Sequence, residues 1–482
     1  MSVLRAPSGG RGLVANSIAL LATNHMTTLL GYLFWTVCAR GVSASTIGMT
    51  NTVISAISLV AVLTATGFEP FLMRVLPGAN SEERSGLSGT ALVVSVVVSG
   101  TAGVVGALLL PERVQTAVGT GWLVGLLGTG AMASAFLLVI NAALLGVRRA
   151  DFSLLAGVLG ALSRLVVVAA LLWLGMLAAR SDAGSAHMIL SVYVASLMVS
   201  VGLAGRLLVR ASPDFRFRCS WMWLSRLRHG IAWDHIAMVA GRLPVLVLPV
   251  LASALFPPAQ VGYAFIALLI SGAFSAVSAL VSNALLAHCA DRPERLRTEA
   301  GRAMRLIGAL LVAPVVITCL LAPKVLGVFG SDYAHYSTLL VLLLVSTLPS
   351  TLIDLALASL RVQRRLVVVA AITVTGSAMT TGGSFLLWLL VPQWGITGAG
   401  VAALASSLIL ASVVVVMLFN RRRGRSRTAG TTDDSPALVA DQPPSMIAVA
   451  GPADELLLSP VVAFAPLADE PPPENTDRVG RP

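Results

Sequence analysis

The sequence predicts an all-α membrane protein of about twelve transmembrane helices, and three observations predict it. Hydrophobic residues make up 56% of the 482-residue chain, charged residues only 11%, and long apolar runs recur from Leu13 to Phe419. Soluble domains carry about 25% charged residues, and a helix needs about 20 apolar residues to cross a bilayer. A mean hydropathy of +0.87 agrees with that class. In order, the runs place helices at 13–38, 46–72, 86–110, 120–145, 152–178, 186–208, 229–253, 259–288, 303–325, 336–360, 366–391 and 396–419. The first run is too long for the apolar core of a secretory signal. Cys38-Ala39-Arg40 after it is no small-x-small cleavage site, so it reads as an uncleaved first span.

The distribution of cations supports that count. Short loops retain basic residues on the cytoplasmic side. With twelve spans and both ends cytoplasmic, the cytoplasmic segments and helix ends hold twenty-five of the 33 basic residues, from Arg5 and Arg11 to the run Arg421–Arg427. The opposite side holds only Arg40, Arg113, Arg180 and Lys324. One missed or invented helix would scramble this alternation downstream. The net charge of +11 is therefore read as a set of topology determinants facing anionic lipid, not as a nucleic-acid surface.

After the last run the composition changes. Residues 428–482 carry nine acidic side chains against two arginines, with prolines at Pro443-Pro444 and Pro471-Pro472-Pro473. Such a segment buries too little apolar area to fold and is expected to be a disordered tail. The four cysteines, Cys38, Cys219, Cys289 and Cys319, show no metal-ligand spacing, and no metal or cofactor is expected. The only lysine, Lys324, ends no phosphate-binding glycine loop, which excludes an ATP-driven pump in this chain. No paired catalytic acids or nucleophile–base constellation is visible, so no enzyme is expected.

An internal repeat points to the architecture. At an offset of 214 residues Ile47-Gly48-Met49 falls on Val261-Gly262-Tyr263, Leu110-Pro111-Glu112 lies two residues from Ala322-Pro323-Lys324, and Gly146-Val147-Arg148-Arg149 falls on Leu360-Arg361-Val362-Gln363. An offset that carries helix one onto helix seven preserves orientation. The expected fold is two parallel six-helix bundles, related by a pseudo-two-fold axis along the membrane normal. The expected parts are a cytoplasmic N-terminus (1–12), a first bundle (13–210), a basic linker (211–228), a second bundle (229–420) and the tail (421–482).

On these spans stand Ala15-Asn16-Ser17, Gly31 through Trp35, Ala39-Arg40, Gly48, Gly67 through Arg74 to Pro77, the Gly146-Val147-Arg148-Arg149 turn, Pro249, Val261-Gly262-Tyr263 and Trp394-Gly395-Ile396-Thr397-Gly398-Ala399-Gly400. In that order they resemble the multidrug/oligosaccharidyl-lipid/polysaccharide exporter superfamily, and within it the polysaccharide transporter branch of O-antigen-type flippases. The likeness covers about residues 11–420. It implies a polyprenyl-pyrophosphate-linked oligosaccharide as cargo, passed outward through a central cavity that opens alternately to either side. The implied partners are that lipid-linked oligosaccharide, membrane lipids, and a polysaccharide polymerase or glycosyltransferases.

Pyrophosphate binding inside a membrane demands cations at depth, where an arginine costs about 2.5–3.5 kcal/mol on insertion scales. Two are found: Arg164 in helix five and Arg242 in helix seven. The forked, permanently charged guanidinium suits phosphate oxygens; depth argues against snorkelling to the interface, and a structural pair with Asp234, His235 or Asp354 is the alternative. Asn24 and His25, midway along helix one, are further substrate-binding candidates, with packing hydrogen bonds an equally good account. Glu69, Asp234 and Asp354 are candidate ion-coupling acids, although at headgroup depth Glu69 can pair with Arg74 and Asp354 with Arg361. A drug or metabolite exporter would require carboxylates deep in the first half, and helix one has none. A non-transporting scaffold for polysaccharide assembly is the third reading. The cation asymmetry makes a testable prediction. In intact cells a cysteine placed at residue 257 is labelled by an impermeant thiol reagent and one at residue 430 is protected; labelling at 430 overturns the orientation.

Overall fold

A computed structural model describes residues 10–147, 149–177, 180–211, 218–219, 221–289, 296–363 and 365–429. Side chains are described between Met26 and Met417, apart from residues 74, 221, 223–234, 283–284, 286–288 and 297 within those segments. Of the expected tail, 421–482, the residues from 430 onward lie outside the described residues. Fifteen α-helices are found among them: α1 (Gly10–Gly41), α2 (Ala44–Ala65), α3 (Phe68–Val75), α4 (Ser81–Leu109), α5 (Glu112–Val118), α6 (Thr120–Gly146), α7 (Ala150–Trp173), α8 (Asp182–Ala211), α9 (Trp221–Leu255), α10 (Pro258–Cys289), α11 (Leu296–Leu320), α12 (Ala322–Gly327), α13 (Ser337–Val362), α14 (Leu366–Leu390) and α15 (Gly398–Ala429). Eleven spans are long and apolar enough to cross a membrane. With the 32-residue α1, twelve long helices stand where twelve apolar runs were read.

The departures from the expected boundaries have local causes. The second run, 46–72, does not form one helix: α2 stops at Ala65 and α3 begins at Phe68. Pro70 has no N–H to donate to the Thr66 carbonyl, and its ring would clash with that oxygen in a continuous helix. The Glu69 N–H bonds Thr66 O instead, at 3.3 Å. Glu69 therefore sits on a separate short helix rather than near the end of a span. The helix read as starting at residue 86 starts five residues earlier, because Asn80 caps it. Its Oδ1 accepts from the Glu83 N–H at 2.8 Å while Glu83 Oε2 reaches back to the Asn80 N–H, a capping box that apolar counting does not see. α7 ends at Trp173 rather than near 178. Gly175 takes φ +69° there, and the Met176 N–H closes on Leu171 O in a Schellman-type stop.

Burial follows the bilayer rather than water. Large apolar side chains such as Leu109, Trp173, Leu320 and Leu390 are exposed on the bundle surface. Small and hydroxylic ones such as Ala131, Ala135, Ser95 and Ser99 are buried between helices. Lipid tails are as apolar as leucine, so close packing and interhelical hydrogen bonds hold such bundles, and small residues let backbones approach. At Gly160, for instance, an added Cβ would fall 1.7 Å from Ser200 Oγ.

The packing pairs repeat. In the first lobe α1 packs on α7 and α2 on α6; in the second, α9 packs on α14 and α10 on α13. These are the first-with-fifth and second-with-fourth long helices of each set. The lobes meet mainly through α2, which lies against α9 and α10. At the arginine-poor end α2 and α10 cross on two glycines. A Cβ on Gly48 would stand 1.9 Å from the carbonyl oxygen of Pro258, and one on Gly262 would stand 2.0 Å from the carbonyl oxygen of Ala44. Each glycine thus packs on the backbone four residues ahead of the other, and all four positions match at the offset of 214. Ile47, one residue before the crossing, is buried in the second lobe's apolar cluster with Leu248, Val261, Leu339, Leu344 and Trp388. Two helical lobes with matching packing pairs, joined this way, are the architecture that the repeat predicts.

A Cβ has no room at the crossing without separating two backbones. Gly48→Val is therefore expected to destabilise the protein by about 1–3 kcal/mol, as overpacking does. In α11, where a Cβ at Gly308 meets open space, Gly308→Ala is expected to be neutral or to stabilise by up to about 1 kcal/mol. Thermal unfolding of the purified protein in detergent checks both.

Candidate functional site

Inside the second lobe lies a cavity of about 480 Å³. It is walled by one face of each of several helices. On α13 the lining residues are Ser346, Ser350, Asp354, Leu357 and Arg361, spaced so that all fall on one side. They run from mid-helix to the arginine-rich end. α14 contributes Thr373, Ser377 and Thr380, α15 contributes Ser406 and Ser407, α10 contributes Ser282, and α9 contributes Arg242.

Most of the hydroxyl protons are already engaged. Ser346 donates to Leu343 O at 2.7 Å, Ser350 to Ser346 O at 2.8 Å, Thr373 to Val369 O at 2.8 Å and Ser407 to Leu404 O at 2.9 Å. Thr380 and Ser406 share a hydrogen bond of 2.7 Å. Ser377 donates to Ala240 O. That carbonyl is free because Pro244, four residues on in α9, has no N–H. Hydroxyls that donate to their own helix keep acceptor lone pairs. The wall therefore offers acceptors on its serines and threonines, while its charged donors are Arg242 and Arg361. Ser282 Oγ is buried and has no partner. Asp354, the cavity's carboxylate, accepts from Ser278 Oγ at 2.9 Å.

Arg242 also faces the first lobe. Its Nη2 lies 3.9 Å from Glu69 Oε2 of α3. Nearby, Thr66 Oγ1 and His235 Nδ1 lie 3.3 Å apart, a second polar contact between the lobes. The ion-pair partner found for Arg242 is thus Glu69, not Asp354, although Asp354 lines the same cavity. Asp234, Asn24, His25 and Arg74 have side chains outside the described residues.

Arg164 is placed differently. Its guanidinium lies over the ring of Phe34 (4.7 Å) and near that of Tyr193 (5.1 Å), between α1 and α8, and its Nε has no hydrogen-bond partner. Among the described residues it makes no ion pair. Two rings whose faces carry negative charge stabilise the cation in part. Arg164 does not line the cavity that holds Arg242, so the two arginines occupy separate environments, one in each lobe. Sequence reading missed Arg361 as a cavity residue because it counted that arginine among the loop cations. It also missed the hydroxyl wall. The spacing of Ser346, Ser350, Asp354 and Arg361 was the available signal, since four polar side chains on one face of a membrane helix mark a cavity or an interface.

No family model matches the sequence, and no curated protein sequence matches it. Solved structures do match in fold. An inward-facing multidrug resistance MATE family transporter of the MOP superfamily aligns at a TM-score of 0.66, with 16% identity over 86% of this chain and 99% of that one. The lipid II flippase MurJ in an inward closed conformation aligns at 0.63, with 12% identity over 84% of this chain and 87% of that one. An outward-facing MATE family transporter aligns at 0.54, with 18% identity over 87% and 96% of the two chains. The chain is a multi-pass membrane protein with the two-lobe helical fold of MOP-superfamily transporters.

Proposed function

We propose that the protein is a MOP-superfamily flippase that moves a polyprenyl-pyrophosphate-linked oligosaccharide across the cytoplasmic membrane by alternating access, for cell-surface polysaccharide synthesis. The observation that carries this reading is the second-lobe cavity, with two arginines against one aspartate and a wall of hydroxyl acceptors. The excess positive charge selects an anion. Acceptor oxygens receive hydrogen bonds from a ligand rich in hydroxyl groups, as a glycan is. Arg242 is assigned to the pyrophosphate, where its forked donors match phosphate oxygens. Arg164 is assigned a second anion contact in the first lobe, on the strength of its depth and its unpartnered Nε. The fold likeness to a lipid II flippase supports a lipid-linked cargo.

The chain is divided, on this reading, into a first bundle (13–210), a basic linker (211–228), a second bundle (229–420) and a tail (421–482), with both termini cytoplasmic. A polysaccharide polymerase or glycosyltransferases would supply or consume the cargo. Asp354 is assigned to ion coupling because it is a carboxylate inside the cavity. The same residue favours the second reading, an ion-coupled exporter of cationic drugs or metabolites, to which the fold likeness to multidrug transporters lends support. The two readings differ in which charge the cargo needs.

Arg242→Ala is expected to reduce export of the glycan by roughly tenfold to a hundredfold, the loss of hydrogen bonds to a charged group. Arg242→Lys keeps the charge but not the fork and is expected to recover part. The check is accumulation of lipid-linked oligosaccharide on the cytoplasmic face of cells that insert each variant normally. Full export by Arg242→Ala overturns the assignment, and loss of drug efflux with Asp354→Asn alone supports the second reading. Truncation after Arg427 is expected to leave export intact in the same assay, because the acidic, proline-rich composition of residues 428–482 offers too little apolar area to bury.

A further inference from the structure

Arg242 stands at a boundary. Its side chain lines the second-lobe cavity, and its Nη2 lies 3.9 Å from Glu69 Oε2 on the first lobe. Glu69 Oε2 is buried and accepts no hydrogen bond, so that oxygen is held by charge and not by a donor network. A carboxylate placed this way is readily given up by its arginine when a better acceptor arrives. A phosphate is such an acceptor, since it carries more charge and offers several oxygens to the guanidinium fork.

We propose that Glu69 and an anionic ligand in the second-lobe cavity compete for Arg242, so that loading the cavity with a phosphate-bearing ligand unties the two lobes on that side. The proposal rests on the reading that Arg242 receives the phosphate. It follows from linkage: if the Glu69 contact weakens anion binding by some factor, anion binding weakens the Glu69 contact by the same factor. The contact lies between α3 and α9, beside the Thr66–His235 contact. It therefore joins segments that alternating access requires to separate, while the glycine crossing of α2 on α10 holds the other end.

The test uses the purified full-length chain and inorganic pyrophosphate. Glu69→Gln removes the competing charge and keeps the shape. It is expected to bind pyrophosphate roughly threefold to fivefold tighter than the wild type, the scale of a half-exposed ion pair. Arg242→Gln is expected to lose the binding. Spin labels on cysteines introduced at Met73 and Ile236, after replacement of the native cysteines, should move apart when pyrophosphate is added to the otherwise wild-type protein. In Glu69→Gln they should be apart already and should not respond. If Arg242→Gln loses pyrophosphate while Glu69→Gln binds it as the wild type does, the competition is wrong and the anion site stands. If Arg242→Gln binds as well as the wild type, both fail. Should Glu69→Gln not reach the membrane, Glu69→Asp withdraws the charge by one methylene; tighter binding supports the competition and unchanged binding overturns it.

Discussion

Two helix backbones can approach as closely as α2 and α10 do only where neither carries a Cβ at the point of contact, and Gly48 and Gly262 meet that condition together. Each glycine faces a carbonyl of the other helix, Pro258 for Gly48 and Ala44 for Gly262. Because the two contacts are related by the same offset as the repeat, the crossing lies on the pseudo-two-fold axis. The lobes are thereby joined at one end through their equivalent helices. Ile47 is carried into the second lobe's apolar cluster, and the α2–α9 contact that brings Glu69 toward Arg242 follows from where α2 is held.

The lobes contrast in how they house a cation. In the first, Arg164 is held between Phe34 and Tyr193, and aromatic faces take the place of a carboxylate. In the second, Arg242 and Arg361 line an open volume with Asp354 and a wall of hydroxyls. An arginine over rings has few competing acceptors, whereas one beside a cavity is available to whatever enters. The prolines of α9 help shape that wall: Pro244 leaves the Ala240 carbonyl free, and Ser377 of α14 takes it up. A missing backbone donor in one helix thus becomes a hydrogen bond to its neighbour.

The sequence by itself determined the class, the number of long helices, the repeat and its offset. These depend on composition and on apolar runs set by bilayer thickness, both local properties of the chain. It also marked the two deep arginines, because charge within an apolar run stands out in one dimension. Helix ends were legible only in part. Pro70 and Gly175 were visible as breakers, but apolar counting runs through a proline, and the Asn80–Glu83 capping box lies before the first apolar residue.

Tertiary structure alone decided which charges meet. Glu69 lies five residues before Arg74 and far in sequence from Arg242, yet its carboxylate comes near Arg242 because α2 crosses between the lobes and Pro70 turns the chain into α3. Arg361 was legible as a topology cation and not as a cavity residue. The same side chain fits both accounts, and only the packing of α13 against its neighbours shows which face it takes. Pairing across a membrane protein is set by helix rotation and crossing, which arise from contacts between distant segments, and no local pattern of residue types encodes those.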